Sequence, residues 1–342
     1  MSRTDFFATD PCPRTSWRMA ILMGDNNRTY KFALGQALLE HAVRGETEVA
    51  LTDLASTYTG SLLAHTTHAP QARAAQPLGD RDFLTLMAHE AEESSRLGHP
   101  TDTLVDAAAR SMPNMVMDKF HNLRGGPVWH RFYELTGSRR EQVVRVTPEL
   151  LSVAAHGQAA ILGTEIEARW NIVENSFATG IGRSLLDHGM AADLETGQLA
   201  ETGQLTGKLR RKPITGIREA LAPFQHGRCF ICQHVIAVND AVHIDHVFPF
   251  ALMKRLGSVS GWPGPDLDAV WNLAPTHATC NMDKSATVPC DELLRRLALR
   301  NEAIKSSKVP LAVTLRRELV ASGHPPTANW WNVIREVKKL CI

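Results

Sequence analysis

The residues whose types and spacing could do chemistry lie mostly between Cys229 and Lys284. Cys229 and Cys232 form one pair of metal ligands with two residues between them, and His277 and Cys280 form a second pair with the same spacing. Two such pairs can meet around one tetrahedral Zn²⁺, and four protein ligands make a closed, structural site. The sequence therefore predicts a structural zinc site that ties the base of a long loop.

The loop between the two ligand pairs carries groups suited to hydrolysis. Two short apolar runs, residues 235–238 and 241–244, flank Asn239-Asp240 and predict a β-hairpin whose second strand ends in Asp245-His246. A carboxylate can hold a hard divalent cation while a neighbouring imidazole removes a proton from water. Phosphodiesters are the substrate class that most needs this combination.

In order and spacing, these residues resemble the HNH endonucleases, or ββα-metal nucleases, over roughly residues 222–290. The family pattern contains Cys-x-x-Cys, Asp-His-x-x-Pro, Asn-Leu and Cys-Asn-x-x-Lys. The matching residues are Cys229, Cys232, Asp245, His246, Pro249, Asn272, Leu273, Cys280, Asn281 and Lys284. One departure is His277, where the second zinc pair more often has cysteine, but histidine is a normal zinc ligand.

The resemblance implies a role for each matching polar residue. His246 would be the general base, and Asp245 and Asn281 would bind a catalytic divalent metal, usually Mg²⁺. Asn272 would orient the base through hydrogen bonds within the loop, and Lys284 would face phosphate. The implied reaction is the hydrolysis of DNA phosphodiester bonds to 3′-hydroxyl and 5′-phosphate ends.

Several of these residues have other interpretations. A Cys-x-x-Cys pair on its own is also typical of a redox site or of two core cysteines. His243 lies two residues before Asp245 and hence on the same strand face, where it contacts metal, phosphate or only solvent. A nonenzymatic zinc module that binds DNA or a protein is the alternative function.

The distribution of charge separates two parts of the 342-residue chain, although its net charge is only +1. Residues 1–204 hold 18 Lys or Arg against 25 Asp or Glu, while residues 205–342 hold 19 against 11. Because cationic contacts with phosphate carry most nucleic-acid affinity, we expect the second part to bind DNA. A basic run directly before the nuclease motif is predicted to contact phosphate, and it comprises Lys208, Arg210, Arg211 and Lys212.

Composition also bears on the compartment. The six cysteines do not form a disulfide framework, because three belong to the predicted zinc site and the others are scattered. The first residues lack a basic region followed by a sustained apolar one, and no apolar run approaches the roughly 18 to 20 residues of a membrane span. We therefore expect a cytoplasmic protein with no membrane contact.

The positions of apolar residues and caps predict a mainly α fold with a small α+β part. Before the zinc site, helices are expected at residues 30–41, 51–63, 83–97, 101–111 and 147–177, with a strand at 142–146. Three closing helices are expected at residues 291–305, 311–321 and 329–340. Residues 180–207 are interpreted as a linker, and Glu165, Glu167 and Glu174 as solvated side chains.

This organisation predicts two domains. Residues 1–204 would form a mostly helical regulatory or target-recognition domain. Residues 205–342 would form a zinc-stapled ββα-metal HNH domain with the C-terminal helices. A cytoplasmic nuclease joined to an acidic domain resembles effectors of bacterial phage defence or restriction, an analogy only. The expected partners are therefore DNA and, through the N-terminal domain, other protein subunits of a defence system.

Overall fold

The structure is a computed structural model that describes residues 8–24, 28–72, 78–123, 126–138, 141–155, 157–178, 190–193, 196–201, 213–252, 264–285, 287–307 and 310–341. The chain divides into two compact units, one formed by Pro11–Gly182 and the other by Met1–Asp10 with Arg183–Ile342. Helices dominate, and the strands form small antiparallel sheets, so the predicted mainly α class with a small β part is confirmed. No helix in the described part of the chain has the length and hydropathy that a bilayer crossing requires.

The Pro11–Gly182 unit is built mainly from helices. Its longer described helices are α1 (Pro13–Leu22), α2 (Tyr30–Val43), α3 (Leu51–Thr66), α4 (Phe83–Leu97), α5 (Asp102–Met112), α6 (Pro148–Ala154) and α7 (Gln158–Ala178). A π-helical turn, Pro113–Met117, continues α5 into the short helix Asp118–Phe120. Phe32, Leu34 and Leu38 on α2 have no exposed surface, so this helix runs through the core of the unit.

Short strands complete this unit. They are β1 (Glu48–Ala50), β2 (Asn122–Leu123), β3 (Gly126–Pro127), β4 (Tyr133–Ser138) and β5 (Glu141–Val146). β5 lies between β1 and β4, and β2 pairs with β3. Val144 of β5 is fully buried opposite Val49 and Leu135, which ties the sheet to the helical core.

The second unit begins with a three-stranded sheet and contains a second, two-stranded one. The first sheet is formed by β6 (Met190–Asp193), β7 (Gln198–Glu201) and β8 (Pro213–Gly216). It is followed by α8 (Ile217–Leu221) and the 3₁₀ turn Ala222–Gln225. The second sheet pairs β9 (Val242–His246) with β10 (Leu273–His277), and α9 (Ala278–Lys284) follows β10 directly.

Three C-terminal helices close this unit. They are α10 (Asp291–Ser306), α11 (Pro310–Ala321) and α12 (Trp330–Leu340), and α10 packs against both of the others. Trp330 is fully buried and stacks on Trp271, with 5.4 Å between ring centroids. Both rings therefore contribute to the core of the unit.

The predicted helices are confirmed, together with several of the caps that define them. The Asp82 side chain accepts from the Leu84 amide at 3.0 Å and caps α4, and Thr101 caps α5. Pro148 stands in the first turn of α6, as expected from the fixed φ of proline. Asp25 and Asn27, polar residues that could cap the start of α2, lie outside the described residues.

Two local predictions are wrong. The run 235–238 does not pair with the strand that ends in Asp245-His246, because β9 pairs with β10 instead. Val235 forms only an isolated bridge to Arg228 beside the first cysteine pair. The expected linker also contains structure, because residues 190–193 and 198–201 form β6 and β7.

The glutamates expected to be solvated are partly buried. Glu165 is only 5% exposed and receives two hydrogen bonds from Arg18, at 2.8 and 2.9 Å. Glu174 is 4% exposed and accepts from His65 and Gln71. Buried charges need such partners. Only Glu167 has a substantially exposed side chain.

Candidate functional site

Four side chains gather into a cluster that fits a zinc ion. The ligand atoms of Cys229, Cys232, His277 and Cys280 all lie within 4.8 Å of one another. The Nδ1 atom of His277 is 3.4 Å from Cys232 Sγ and 4.0 Å from Cys280 Sγ. Tetrahedral bonds of about 2.0 to 2.3 Å to one zinc ion require ligand atoms about 3.5 to 3.8 Å apart. The predicted metal-ligand cluster is therefore present in the fold.

Local backbone structure positions both halves of this cluster. Cys229 and Cys232 lie in a turn in which the Gln233 amide donates to the Cys229 carbonyl at 3.0 Å. The Cys229 amide in turn donates to the His234 carbonyl at 2.8 Å. His277 ends β10 and stands at the N-cap of α9, so Cys280 falls in the first turn of that helix. The cluster thus joins the turn to the strand–helix junction.

Asp240 supports the cluster and was missed from the sequence, where it served only as a turn residue. Its Oδ2 atom is 3.2 Å from His277 Nε2 and accepts from the Ala237 amide at 2.6 Å. A proton on Nε2 directed at Asp240 leaves Nδ1 deprotonated, and Nδ1 is the nitrogen that faces the thiols. The sequence feature that could have identified Asp240 as a support for the cluster is its position, as a carboxylate, within the loop between the two ligand pairs.

The thiols have unequal acidities. Burial raises the pKa of Cys229, but hydrogen bonds from the backbone amides of Cys232, His277 and Ile231 outweigh it, and the net shift is downward. Burial and the neighbouring thiols raise the pKa of Cys280 to about 11. Thiolates this close repel one another, so a cation between them would favour their deprotonation. The pKa of Cys229 therefore lies below that of Cys280.

α9 lies over one face of the β9–β10 pair. His243 and Asp245 point to the same face of β9 because side chains alternate along a strand. The Asn281 amide nitrogen is 3.3 Å from His243 Nδ1, and Lys284 Nζ is 3.0 Å from Asp245 Oδ1. β9 and α9 therefore bring together four residues that are up to 41 positions apart.

Asp245 and Lys284 form a buried ion pair. Asp245 is 7% exposed, and the Lys284 side chain has the same exposure. Lys284 also donates to the His246 carbonyl at 2.7 Å. Burial raises the pKa of Asp245, and the positive charge of Lys284 offsets only part of that rise. The Lys284 ammonium is thus directed at Asp245, and its contact with phosphate stays a prediction.

His246 has a different partner. Its Nε2 atom is 2.9 Å from Asp268 Oδ1, and the ring packs near Phe250. The side chain of His246 is 19% exposed and that of Asp268 is 49% exposed, so the pair is open to solvent. Among the described residues, Nδ1 of His246 has no hydrogen-bond partner. Asp268 was missed because it lies 22 positions away with no motif around it.

Asn272 fixes the backbone that follows His246. Its side-chain oxygen accepts from the Phe248 amide at 2.8 Å. Its side-chain nitrogen donates to the carbonyls of Phe248 and Leu267, at 2.9 and 2.8 Å. Asn272 has no exposed surface, so these bonds hold both ends of the loop segment in a dry environment. None of these three bonds reaches the His246 side chain, so the role of Asn272 in orienting the base stays a prediction.

Two arginines of α10 bind backbone carbonyls around the site. Arg296 donates to the carbonyls of Phe230 and Ile231, between the first two cysteines. Arg300 is 3% exposed and donates to the carbonyls of Trp271 and Leu273. Burial lowers the pKa of Arg300 to about 9. These two cations therefore hold the scaffold together.

The predicted phosphate-binding run cannot be related to this geometry. It comprises Lys208, Arg210, Arg211 and Lys212, which lie outside the described residues. The remaining predicted site residues fall into two groups, the zinc cluster and the β9–β10–α9 set with its loop.

Comparisons with protein-family models, characterised proteins and solved structures give no match for this chain.

Proposed function

We propose that this protein is a metal-dependent endonuclease of the HNH type that hydrolyses DNA phosphodiester bonds. The observation that carries the proposal is the joint packing of α9 and β9, which brings Asp245 and Asn281 to one face beside a cluster fit for zinc. The order strand, strand, helix is the one that the family resemblance implies. The chemistry follows from the individual side chains.

His246 is the proposed general base. Its Nε2–H donates to Asp268, which leaves Nδ1 to accept a proton from water. The Asp268 carboxylate would then stabilise the imidazolium that forms, and Asn272 would keep the following loop in register. Asp268 acts through His246 and is a positioning residue. Proton transfer of this kind contributes roughly 10²- to 10⁴-fold to a rate.

Asp245 and Asn281 are the residues that would hold a divalent cation. The Oδ2 atom of Asp245 is buried and makes no hydrogen bond, although Lys284 Nζ lies 2.9 Å away. The amide oxygen of Asn281 has no hydrogen-bond partner in the described part of the chain. Carboxylate and amide oxygens suit Mg²⁺, which when bound supplies positive charge for the phosphate and the leaving oxygen. Lys284 adjoins this position and would share the neutralisation.

The test is plasmid nicking in magnesium by His246→Ala. We expect the variant to bind DNA about as well as the wild type and to cut roughly 10²- to 10⁴-fold more slowly. Asp268→Asn should cut more slowly with an altered pH profile, whereas exposed Asp283→Asn is the matched control. Wild-type cutting by His246→Ala would remove His246 as the base and leave His243 as the candidate.

The nonenzymatic alternative predicts a different outcome. A zinc module that only binds DNA or a protein would give no cleavage by the wild-type protein with any divalent cation. DNA as the substrate, other subunits of a bacterial defence system as partners and a cytoplasmic location remain part of the proposal. The family resemblance and the charge of the second part of the chain support DNA as the substrate, the analogy to defence effectors supports the protein partners, and the scattered cysteines support the location.

A further inference from the structure

His243 and Asn281 meet where α9 lies over β9. The Asn281 side-chain nitrogen is 3.3 Å from His243 Nδ1 and can only donate, so Nδ1 is the acceptor and carries a lone pair. A neutral imidazole with one free lone pair is the form of histidine that binds metal ions. A half-turn of the Asn281 amide exchanges its nitrogen and oxygen without changing its shape. The amide oxygen then faces the same point as Nδ1.

The separation of these two atoms suits one cation. Two neighbouring ligands of an octahedral cation with bonds of about 2.1 to 2.3 Å lie about 3.0 to 3.3 Å apart. The observed 3.3 Å between the side chains of Asn281 and His243 lies at the upper end of that range. A simple N–H···N bond has a similar length, and it is the surroundings of the pair that favour a cation.

Asp245 provides those surroundings. It stands two residues after His243, so both side chains lie on the same face of β9. Asp245 is 7% exposed, and its Oδ2 atom is buried without a hydrogen-bond partner. Lys284 Nζ is 2.9 Å from Oδ2, but its hydrogen bonds go to Oδ1 and to the His246 carbonyl. A buried oxygen that accepts no hydrogen bond is costly, and a cation would satisfy it.

The backbone fixes the position of His243. It pairs with Thr276 of β10, whose fully buried hydroxyl donates to the His243 carbonyl at 3.4 Å. His243 itself is exposed, whereas Asp245 is buried, so the three candidate ligands extend from the surface into the protein. Solvent therefore reaches this face, and water would complete the coordination of a bound cation.

We propose that His243 Nδ1 is a third protein ligand of the cation held by Asp245 and Asn281, and that this nitrogen makes the site prefer a transition-metal ion such as Mn²⁺ to Mg²⁺. The inference rests on the proposed nuclease site and names its metal. Mg²⁺ binds mainly oxygen atoms, whereas first-row transition-metal ions also accept imidazole. Because His243 is the nitrogen ligand of the three, the preference depends on it.

Mn²⁺ binding to the full chain tests the assignment, with one equivalent of zinc present to fill the cysteine cluster. Mn²⁺ stands lowest in the affinity series of first-row divalent ions, so a preference for it over Mg²⁺ is a stringent criterion. We expect the wild type to bind Mn²⁺ at least about tenfold more tightly than Mg²⁺, measured from the EPR signal of free Mn²⁺ and by competition. In H243A, the affinity for Mn²⁺ should fall at least about tenfold and that for Mg²⁺ less than about threefold.

Pulsed EPR identifies the ligand directly. An imidazole nitrogen bound to Mn²⁺ couples to its electron spin, and we expect this coupling in the wild type and its loss in H243A. H246A removes the neighbouring histidine and H89A removes an exposed histidine on α4, and both should retain the coupling. H243D offers oxygen in place of nitrogen, so it should bind Mg²⁺ at least as tightly as the wild type and show no nitrogen coupling. His243 is exposed, so its variants should keep their fold.

The outcomes separate this inference from the proposed function. Nitrogen coupling that persists in H243A, equal wild-type affinities for the two ions, or no Mn²⁺ binding at millimolar concentration overturns the ligand assignment. DNA cleavage by a wild type whose bound Mn²⁺ shows no nitrogen coupling also overturns it and leaves the nuclease proposal standing. Coupling that is lost in H243A, in a protein that does not cleave DNA, supports the assignment and contradicts the nuclease proposal.

Discussion

His65 in the helical unit and His246 in the other unit both meet carboxylates, but not in the same way. His65 Nδ1 is 2.8 Å from Glu174 and its Nε2 is 3.2 Å from Glu167, so both ring nitrogens have acidic partners. Its ring also stacks on Trp170 at 3.6 Å. Burial lowers the pKa of His65, but the two glutamates outweigh it and raise the pKa to about 9. His65 is therefore a structural cation at neutral pH.

His246 has one acidic partner and one nitrogen that is open among the described residues. His277 is intermediate, because Asp240 holds its Nε2 while its Nδ1 faces the thiols. The three histidines share a carboxylate on one nitrogen and differ in what the other nitrogen meets. The other ring nitrogen meets a second carboxylate in His65 and the thiols in His277. In His246 it has no hydrogen-bond partner among the described residues. A histidine–carboxylate contact alone therefore does not identify a catalytic histidine.

The largest expected effect follows removal of a ligand from the His277 cluster. We expect one zinc per chain in the wild type and loss of both zinc and the fold of the second unit in Cys229→Ser. Structural zinc is worth roughly 10 to 16 kcal/mol in small metal-tied domains. Elemental analysis and near-ultraviolet circular dichroism measure the two losses.

The matched control for that experiment is Cys290→Ser, since Cys290 is an exposed thiol outside the cluster. Soluble, active wild-type protein without zinc would remove the site altogether. Zinc that persists in His277→Ala but is lost from Cys290→Ala would reassign the fourth ligand. Either result would also remove His277 from the comparison of the three histidines.

A smaller effect is expected from the carboxylate that orients His277. Asp240→Asn keeps all four ligands but weakens the acceptor at Nε2, and hydrogen-bond partners of metal-bound histidines are typically worth roughly 10- to 100-fold in affinity. Competition with a chromophoric chelator measures the change. Asp283→Asn, an exposed carboxylate on α9, is the control. Unchanged affinity in Asp240→Asn would mean that the contact does not tune the metal.

The sequence predicted residue sets joined by fixed spacing and missed partners distant along the chain. Cys-x-x-Cys and His-x-x-Cys are local patterns, and both lie in the observed cluster. The pairing of β9 with β10 joins residues 27 to 35 positions apart, whereas a two-residue turn had favoured the adjacent run. His277 belongs both to the ligand cluster and to the last residue pair of the β9–β10 ladder, His277 with Val242. The run 235–238 then lies beside the first cysteine pair, where Ile236 donates to the Gly227 carbonyl.

Buried charges were the other source of error. The sequence predicted that Glu165 and Glu174 would be solvated side chains on a helix, but both are buried. Their partners, Arg18 and His65, lie 147 and 109 positions away along the chain. Local periodicity contains no information on contacts of that range. The same limit applies to Lys284, whose acidic partner Asp245 lies 39 positions earlier.

The charge argument also changes with the observed organisation. A division after residue 204 gives net charges of −7 and +8. The Pro11–Gly182 unit holds 16 Lys or Arg against 19 Asp or Glu, and the other unit holds 21 against 17, so the net charges are −3 and +4. Two cations of the second unit, Arg296 and Arg300, also bind backbone carbonyls. The second unit still carries the positive net charge, but the difference in net charge between the two parts is about half as large.

The smallest expected effect concerns His65 and tests its assignment as a structural cation. Its pKa is raised from 6.5 to about 9 on folding, so the charged form stabilises the folded state. That stabilisation is fully present below about pH 6.5 and is lost as the pH rises through about 9. We expect it to be about 1 to 2 kcal/mol, less than the full shift would give, because solvent at the Glu167 side screens the pair.

His65→Gln keeps hydrogen-bonding capacity without the charge. Urea unfolding of both proteins should therefore give a difference in unfolding free energy that is larger at pH 6 than at pH 10. His68→Gln, the same substitution at an exposed histidine near the end of α3, is the matched control. A difference for His65→Gln that is equal at both pH values would mean that packing on Trp170, and not charge, is what His65 contributes, and the contrast with His246 would then rest on geometry alone.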